Sequence, residues 1–448
     1  MAEYTATAAG PVPPQGTARE GGRDRSVAVV GSGIAGLTAA HELTRSGALV
    51  TLYEADDRLG GHAHTQDVRP AHGPALALDT AFLVHNERTY PHLLRLFAEL
   101  GVATQDSEMS MSVSCHGCGL EYAGARGPSG LLAQPRSLLR GRYLRLLAEV
   151  PRFHRLARRL LDEPQGDGAE TTLREFLRRG RFSPYFTAHF MTPLVASVWS
   201  CAPGLAQEYP ARYLFSFMDN HGMLSVTGSP QWRTVVGGSR TYVERIAARL
   251  HATRTGTPVT RVRRQRDGVT LATADGRIEY YHGVVLATHP DQALSLLADP
   301  SPDERSVLGA FQYSWNPAVL HRDTSVLPRA RRARASWNYR MASCVDGADQ
   351  VRVSYHLNRL LRLDTDEDYL VTLNEDQAAP VDPGRVISRT VYRHPRYDRE
   401  SLAAQRRLPG LNRDRTAFAG AYHGWGFHED GCRSGVEAAR SLRAAVTA

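Results

Sequence analysis

The sequence contains no lysine; its 54 Lys+Arg residues are all arginine. Without a side-chain primary amine there is no Schiff-base nucleophile and no phosphate-gripping P-loop lysine, so both chemistries are excluded. Cysteine is scarce, five in 448 residues. That is too few for a disulfide framework and suits free thiols in a reducing compartment. No run of 18 apolar residues is present, which excludes a bilayer-spanning helix. The N-terminus has no charged segment followed by an apolar one, so no secretory signal is expected. These absences predict a cytoplasmic protein, with peripheral membrane contact left open.

What is present describes a folded, basic chain. Apolar residues make up 42% and charged residues 22%, enough for a sizeable core. The formal net charge is +8, which favours anionic partners such as a phospholipid surface, an acidic carrier or a carboxylate. No nucleic-acid-binding motif accompanies the arginines, so nucleic acid is not an expected partner. Residues 1–25 are rich in Pro, Gly, Ala and Thr without periodicity and predict a disordered tail. Beyond them Ser26–Val30 reads as a buried parallel strand, Leu37–Ser46 as a helix and Ala48–Tyr53 as a second strand. The final helix is expected over Gly435–Val446, after a strand at Arg415–Phe418 and a glycine-rich loop.

Gly31-Ser-Gly33-Ile34-Ala35-Gly36 lies between the first strand and the helix. In a dinucleotide fingerprint the first glycine permits a tight turn, the second admits the pyrophosphate and the third lets helix and strand pack closely. Backbone N–H groups at the helix start then face the phosphates. Glu54 ends the second strand about twenty residues on, where an acidic residue accepts hydrogen bonds from a ribose.

Two further motifs select the nucleotide. Arg58-Leu-Gly60-Gly61-His62 resembles the two-glycine extension of FAD-binding flavoproteins of the amine-oxidase type, with His62 in place of the usual arginine. Thr416-Ala-Phe-Ala-Gly420-Ala421, Gly424-Trp425-Gly426 and Asp430-Gly431 resemble the closing FAD motif of the same superfamily, with Ala421 where an acidic residue is common. Asp79-Thr80-Ala-Phe82, Pro230-Gln-Trp232, Ala287-Thr-His-Pro and Ala335-Ser-Trp-Asn-Tyr339 narrow the resemblance. They are similar to the branch of FAD-dependent oxidoreductases encoded beside cyclopropane-fatty-acid synthases, over about residues 26–445.

The resemblance implies FAD as cofactor and an α/β, Rossmann-type fold with an inserted substrate domain of mixed sheet and helices. The FAD-binding domain would comprise 26–90, 230–295 and 410–448, and the substrate-binding domain 91–229 and 296–409. It places Gly31, Gly33, Ile34, Ala35, Gly36, Glu54, Ala55, Gly60, Gly61, His62, Thr80, Phe82, Val259, Gly420, Trp425, Asp430 and Gly431 at the cofactor, with Val259 near the adenine. It implies hydride transfer from a small hydrophobic substrate, an acyl chain or natural-product intermediate, free or linked to an acyl carrier or phospholipid. A double-bond isomerase, an amine oxidase and a non-catalytic partner of a methyltransferase are the alternatives. The lysine that many amine oxidases of the superfamily place near flavin N5 has no counterpart here, and arginine is not deprotonated at working pH. A single fingerprint leaves no second nucleotide domain for NADPH, so a net oxidation would pass its electrons to O2 or an external acceptor.

His423, Tyr422 and Trp425 lie where flavin-facing residues are expected and are the catalytic candidates, His423 because imidazole titrates near neutrality. His62 and His64 are expected to line the cofactor pocket. Trp199, Trp232, Trp315 and Trp337 could wall an apolar channel or belong to the core. Cys115-His-Gly-Cys118 has zinc-ligand spacing, but the sequence shows no second CxxC and no HxxxH. It is read as a hairpin turn, with a redox dithiol as the alternative, and no metal is expected. The arginines of 136–181 suit either a solvated helix face or an anionic surface.

Overall fold

The computed structural model describes residues 25–164, 171–345, 350–413 and 415–447. The predicted tail therefore lies outside the described residues except for Arg25.

Five parallel strands form one sheet in the order 252–254, 49–53, 26–30, 283–286, 416–418. The strand Ser26–Val30 is apolar along its length because both faces are covered. Val27 and Val29 face one core, with the helices Ile34–Arg45 and His428–Thr447. Ala28 and Val30 face another, beneath the three-stranded meander of Val259–Tyr281. Successive strands leave Ser26–Val30 first toward 49–53 and later toward 283–286. That reversal is the switch point at whose carboxyl edge such sheets bind ligands.

A seven-stranded sheet runs 386–396, 312–321, 370–373, 353–356, 337–341, 111–115, 120–124. All its pairings are antiparallel except 337–341 with 111–115. The helices Gly141–Asp162, Thr192–Trp199 and Ala211–Asn220 contribute to its largest core.

The last helix departs from the sequence expectation. It begins at His428, not at Gly435. Gly431 and Gly435 are interior positions that let it cross the helix Ile34–Arg45 at close range. A methyl at Gly431 would sit 2.6 Å from Ile34 Cγ2, and one at Gly435 would collide with the Ala35 carbonyl oxygen. Both glycines serve packing, whereas the sequence reading took Gly435 as the helix start and Gly431 as part of the loop before it.

Candidate active site

At the switch point three glycines have three different causes. Gly31 has φ +97°, a left-handed conformation that favours glycine, and a side chain there would lie 2.7 Å from the Ala287 carbonyl oxygen. A side chain at Gly36 would collide with the Gly31 carbonyl oxygen. Gly33 differs, since a methyl there would meet nothing within 4 Å. It precedes a buried first turn, Ile34-Ala35-Gly36, that has no capping side chain and no acidic residue. A helix start with uncapped N–H groups, opening on free space, is an anion cradle.

The second glycine pair closes on the first. Gly60 has φ +110°, and a Cβ on Gly61 would lie 3.2 Å from Gly33 Cα. Ser32 joins the parts: its N–H and hydroxyl donate to Glu54 Oε2, and its hydroxyl accepts from the Gly60 N–H at 3.0 Å. Glu54 Oε1 accepts the Asp56 N–H at 3.0 Å, while Ala55 is exposed. The Glu54 carbonyl accepts from Thr257 N–H at 2.9 Å, which brings the start of the Val259–Arg264 strand alongside.

The C-terminal segment closes the opposite side. Gly420 N–H donates to Ser434 Oγ at 3.0 Å, and the chain turns through Ala421–His423. Asp430 gathers the preceding loop: its carboxylate accepts the N–H of Phe427 at 3.1 Å, while the Gly426 N–H donates to the Ala421 carbonyl at 3.2 Å. Burial nevertheless pushes it up to about 6. Glu429, pushed up to about 7 chiefly by burial, accepts from His92 and Leu93 N–H at 2.9 and 3.0 Å. It thereby caps the helix Pro91–Leu100. Both acids, in the first turn of the last helix, are engaged by backbone amides.

Trp425 belongs to an aromatic wall. Its carbonyl accepts from Trp199 Nε1 at 3.0 Å, and its ring lies 5.8 Å from Phe217, which stacks on Phe427 at 4.9 Å. Phe82 stacks on His428 at 3.6 Å. Tyr422 lies elsewhere, packed on Phe311 at 5.3 Å in the core that holds Ala28 and Val30. His423 Nε2 is buried with no partner, and burial together with Arg433 lowers its pKa to about 3. It is neutral at pH 7.

A patch of imidazoles adjoins the glycine pair. The His62 ring lies 5.1 Å from Tyr392 and 5.4 Å from His394. Tyr392 OH bonds Thr80 Oγ1 at 2.6 Å and His64 Nδ1 at 2.9 Å. Asn316 Nδ2 donates to His394 Nδ1 at 2.9 Å, which leaves the proton of the neutral ring on Nε2. Asn374 donates to Asn316 Oδ1 at 2.8 Å and fixes that amide's orientation. His289 stacks on Tyr313 at 4.1 Å. His62 keeps part of its surface open, yet its ring is deep enough that burial, helped by Arg58, lowers it to about 4. His64 is lowered to about 4 for the same reasons, and His289 and His394 to about 3 by burial and neighbouring imidazoles. Tyr392, His394, His289 and Asn316 were not among the sequence candidates. Their signal is the alternation in Thr390-Val-Tyr392-Arg-His394, which puts Tyr392 and His394 on one strand face.

The cradle fits FAD in its donors and its room: an uncapped helix start, two glycine turns and a carboxylate at the end of the second strand. Comparison with known proteins agrees. The profile of the flavin-containing amine oxidoreductase family matches residues 34–320. AofH of Mycobacterium tuberculosis, provisionally named a flavin-containing monoamine oxidase, is 29% identical over 61% of this chain and 59% of its own length. The carotenoid phi-ring synthase of Streptomyces griseus is 30% identical over 65% of this chain and 57% of its own. The chain thus spans about three fifths of the length of these curated relatives. The crystal structure of a fatty acid isomerase from P. acnes that produces CLA superposes with a TM-score of 0.63 at 17% identity, covering 93% of this chain and 98% of that one. Amine oxidases recur among the neighbours in fold. With the profile spanning more than half of its length, the chain belongs to the flavin-containing amine oxidoreductase family.

Proposed function

We propose that the enzyme dehydrogenates an uncharged hydrophobic substrate, an acyl chain or a lipid-like natural-product intermediate. One observation carries this reading: the surroundings of the closing loop are aromatic, and the two acids of the helix turn that follows it are already engaged by backbone amides. An ammonium group would want a free carboxylate there, and the neighbouring imidazoles are neutral at pH 7. FAD, when bound, supplies a hydride acceptor at N5. The chain's own part is to hold and to exclude. Gly33 and the first-turn amides of Ile34 and Ala35 hold the pyrophosphate, Glu54 the ribose and Val259 the adenine side. Trp425, Phe427 and Phe217 exclude water from the reacting carbon.

An exposed surface patch suits a lipid-like substrate. Leu138 and Leu139 are 51% and 89% exposed among Arg136, Arg140 and Arg142, a combination suited to an anionic lipid surface or an acidic carrier. No helix among the described residues is long and apolar enough to cross a membrane, so contact through this patch would be peripheral.

Amine oxidation is the second reading, favoured by the amine-oxidase relatives and by aromatic rings that can face a cation. Anaerobic mixing with acyl lipids and with amines separates the readings, followed by flavin absorbance near ~450 nm and product mass. Bleaching by an acyl lipid with a two-hydrogen mass loss is the expected result. Bleaching by amines alone, with ammonia or aldehyde released, would overturn it. A lipid product of unchanged mass without net bleaching would make the enzyme an isomerase.

A further inference from the structure

The thiols set aside in the sequence for want of partners acquire them in the fold. Cys115 ends the strand Met111–Cys115, and Cys118 lies in the turn that follows. The parallel strand Trp337–Met341 ends beside them, and His116 N–H donates to the Met341 carbonyl at 2.9 Å. Cys344 is thereby carried over the turn. A methyl on Gly117 would lie 2.9 Å from Ser343 Cα, so the residue at this crossing must be small. From behind, the π-helical turn Thr187–Met191 presents His189, which is fully buried. The Sγ atoms of Cys115, Cys118 and Cys344 and a ring nitrogen of His189 all lie within 4.8 Å of one another.

We propose that these four residues bind a structural zinc ion. A tetrahedral site with Zn–S near 2.3 Å and Zn–N near 2.0 Å places its sulfurs about 3.8 Å apart, and a sulfur about 3.5 Å from the nitrogen. Cys115 and Cys344 Sγ are 3.9 Å apart, and Cys118 Sγ is 3.6 Å from His189 Nε2. Second-shell groups orient the ligands as metal sites require. His189 Nδ1 faces the Tyr185 carbonyl at 3.2 Å, so the ring donates there and turns the Nε2 lone pair to the sulfurs. The Tyr185 hydroxyl lies 3.5 Å from the Cys118 sulfur, and the two cysteines Cys115 and Cys344 face each other. The hydroxyl contact stabilises the Cys118 thiolate. Three cysteines and one histidine complete a tetrahedron and leave no open position, so the role is structural: the ion ties the 111–124 hairpin, the helical segment behind it and the 341–344 loop into one unit. Binding releases the three thiol protons.

The test uses the full-length flavoprotein purified without a metal-affinity step, and its readout is independent of substrate. Elemental analysis is expected to give about one zinc per chain, and X-ray absorption a shell of about three sulfurs and one nitrogen. Cys118→Ser, His189→Ala and Cys344→Ser should each lose zinc, Cys344→His should retain it, and Cys432→Ser, away from the cluster, should match wild type. A folded, flavin-loaded wild type that stays zinc-free after incubation with zinc and reductant would overturn the proposal. So would a native Cys115–Cys344 disulfide found by mass spectrometry.

Discussion

The dinucleotide cradle and the imidazole patch adjoin each other and work by opposite means. In the cradle the backbone offers the donors: Gly33 leaves the uncapped helix-start N–H groups open, while Gly31 and Gly36 keep side chains out of the Ala287 and Gly31 carbonyls. Such donors do not titrate. In the patch side chains from distant segments do everything, and His62, His64, His289 and His394 are all held neutral. The cradle is therefore sensitive to any added atom and indifferent to pH, and the patch the reverse.

The largest expected effect sharpens the first half of that contrast. Gly36→Val forces a side chain into the Gly31 carbonyl and should cost several kcal/mol, since overpacking alone costs ~1–3 and here it strikes backbone. Loss of bound flavin and of folded protein, read by flavin-to-protein absorbance and circular dichroism, is expected. Gly33→Ala is the counterpart. Its methyl meets no protein atom, so the apoprotein should melt as wild type does while flavin affinity falls about 10- to 100-fold, or ~1.4–2.7 kcal/mol. Wild-type flavin affinity in Gly33→Ala would show that the open space beside Gly33 is not where the dinucleotide lies.

Acidification tests the other half. The four imidazoles titrate near 6.5 when unfolded and at about 3 to 4 in the fold, so between those values the unfolded chain binds more protons. Their effect is to make stability fall as pH drops from about 6.5 toward 4. Glu429 and Asp430, raised to about 7 and 6, and Asp79, also raised by burial, act in the opposite sense, but His85, His154, His221 and His321, lowered to about 4, and His423, lowered to about 3, add to the four of the patch. The melting temperature should therefore rise with pH between 4 and 6.5, and His394→Asn should flatten the slope. An unchanged slope in that variant would remove His394 from the titrating set.

The same division explains what the sequence made legible. The cradle is written in contiguous residues, Gly31 to Gly36 and Gly60 to His62, because one turn and one helix start build it. The patch needs His62 from near the N-terminus beside His394, and the thiol cluster needs Cys118 beside His189 and Cys344. Those pairings join segments from 71 residues apart, for Cys118 and His189, to more than 300, for His62 and His394, which a single sequence does not display. The helix start expected at Gly435 failed for a different reason. Glycine marks helix ends and close helix crossings alike, and only the contact with Ile34 and Ala35 tells which applies.

The smallest expected effect bears on Glu429, the strongest carboxylate candidate for a direct chemical role. It sits in the first turn of the last helix with its pKa at about 7, a value suited to general acid–base work. Its two oxygens, however, are taken by the His92 and Leu93 N–H groups at the start of a helix. Glutamine keeps one acceptor oxygen and loses the charge, so Glu429→Gln should cost about 0.5–1 kcal/mol of stability, the scale of a weakened cap. Flavin reduction by substrate, followed in a stopped-flow instrument, should stay within about threefold of wild type. A drop of 10²-fold or more, the scale of a lost general acid or base, would move Glu429 from scaffold to chemistry. It would also show that a titrating side chain operates beside the cradle, which is the boundary the comparison draws.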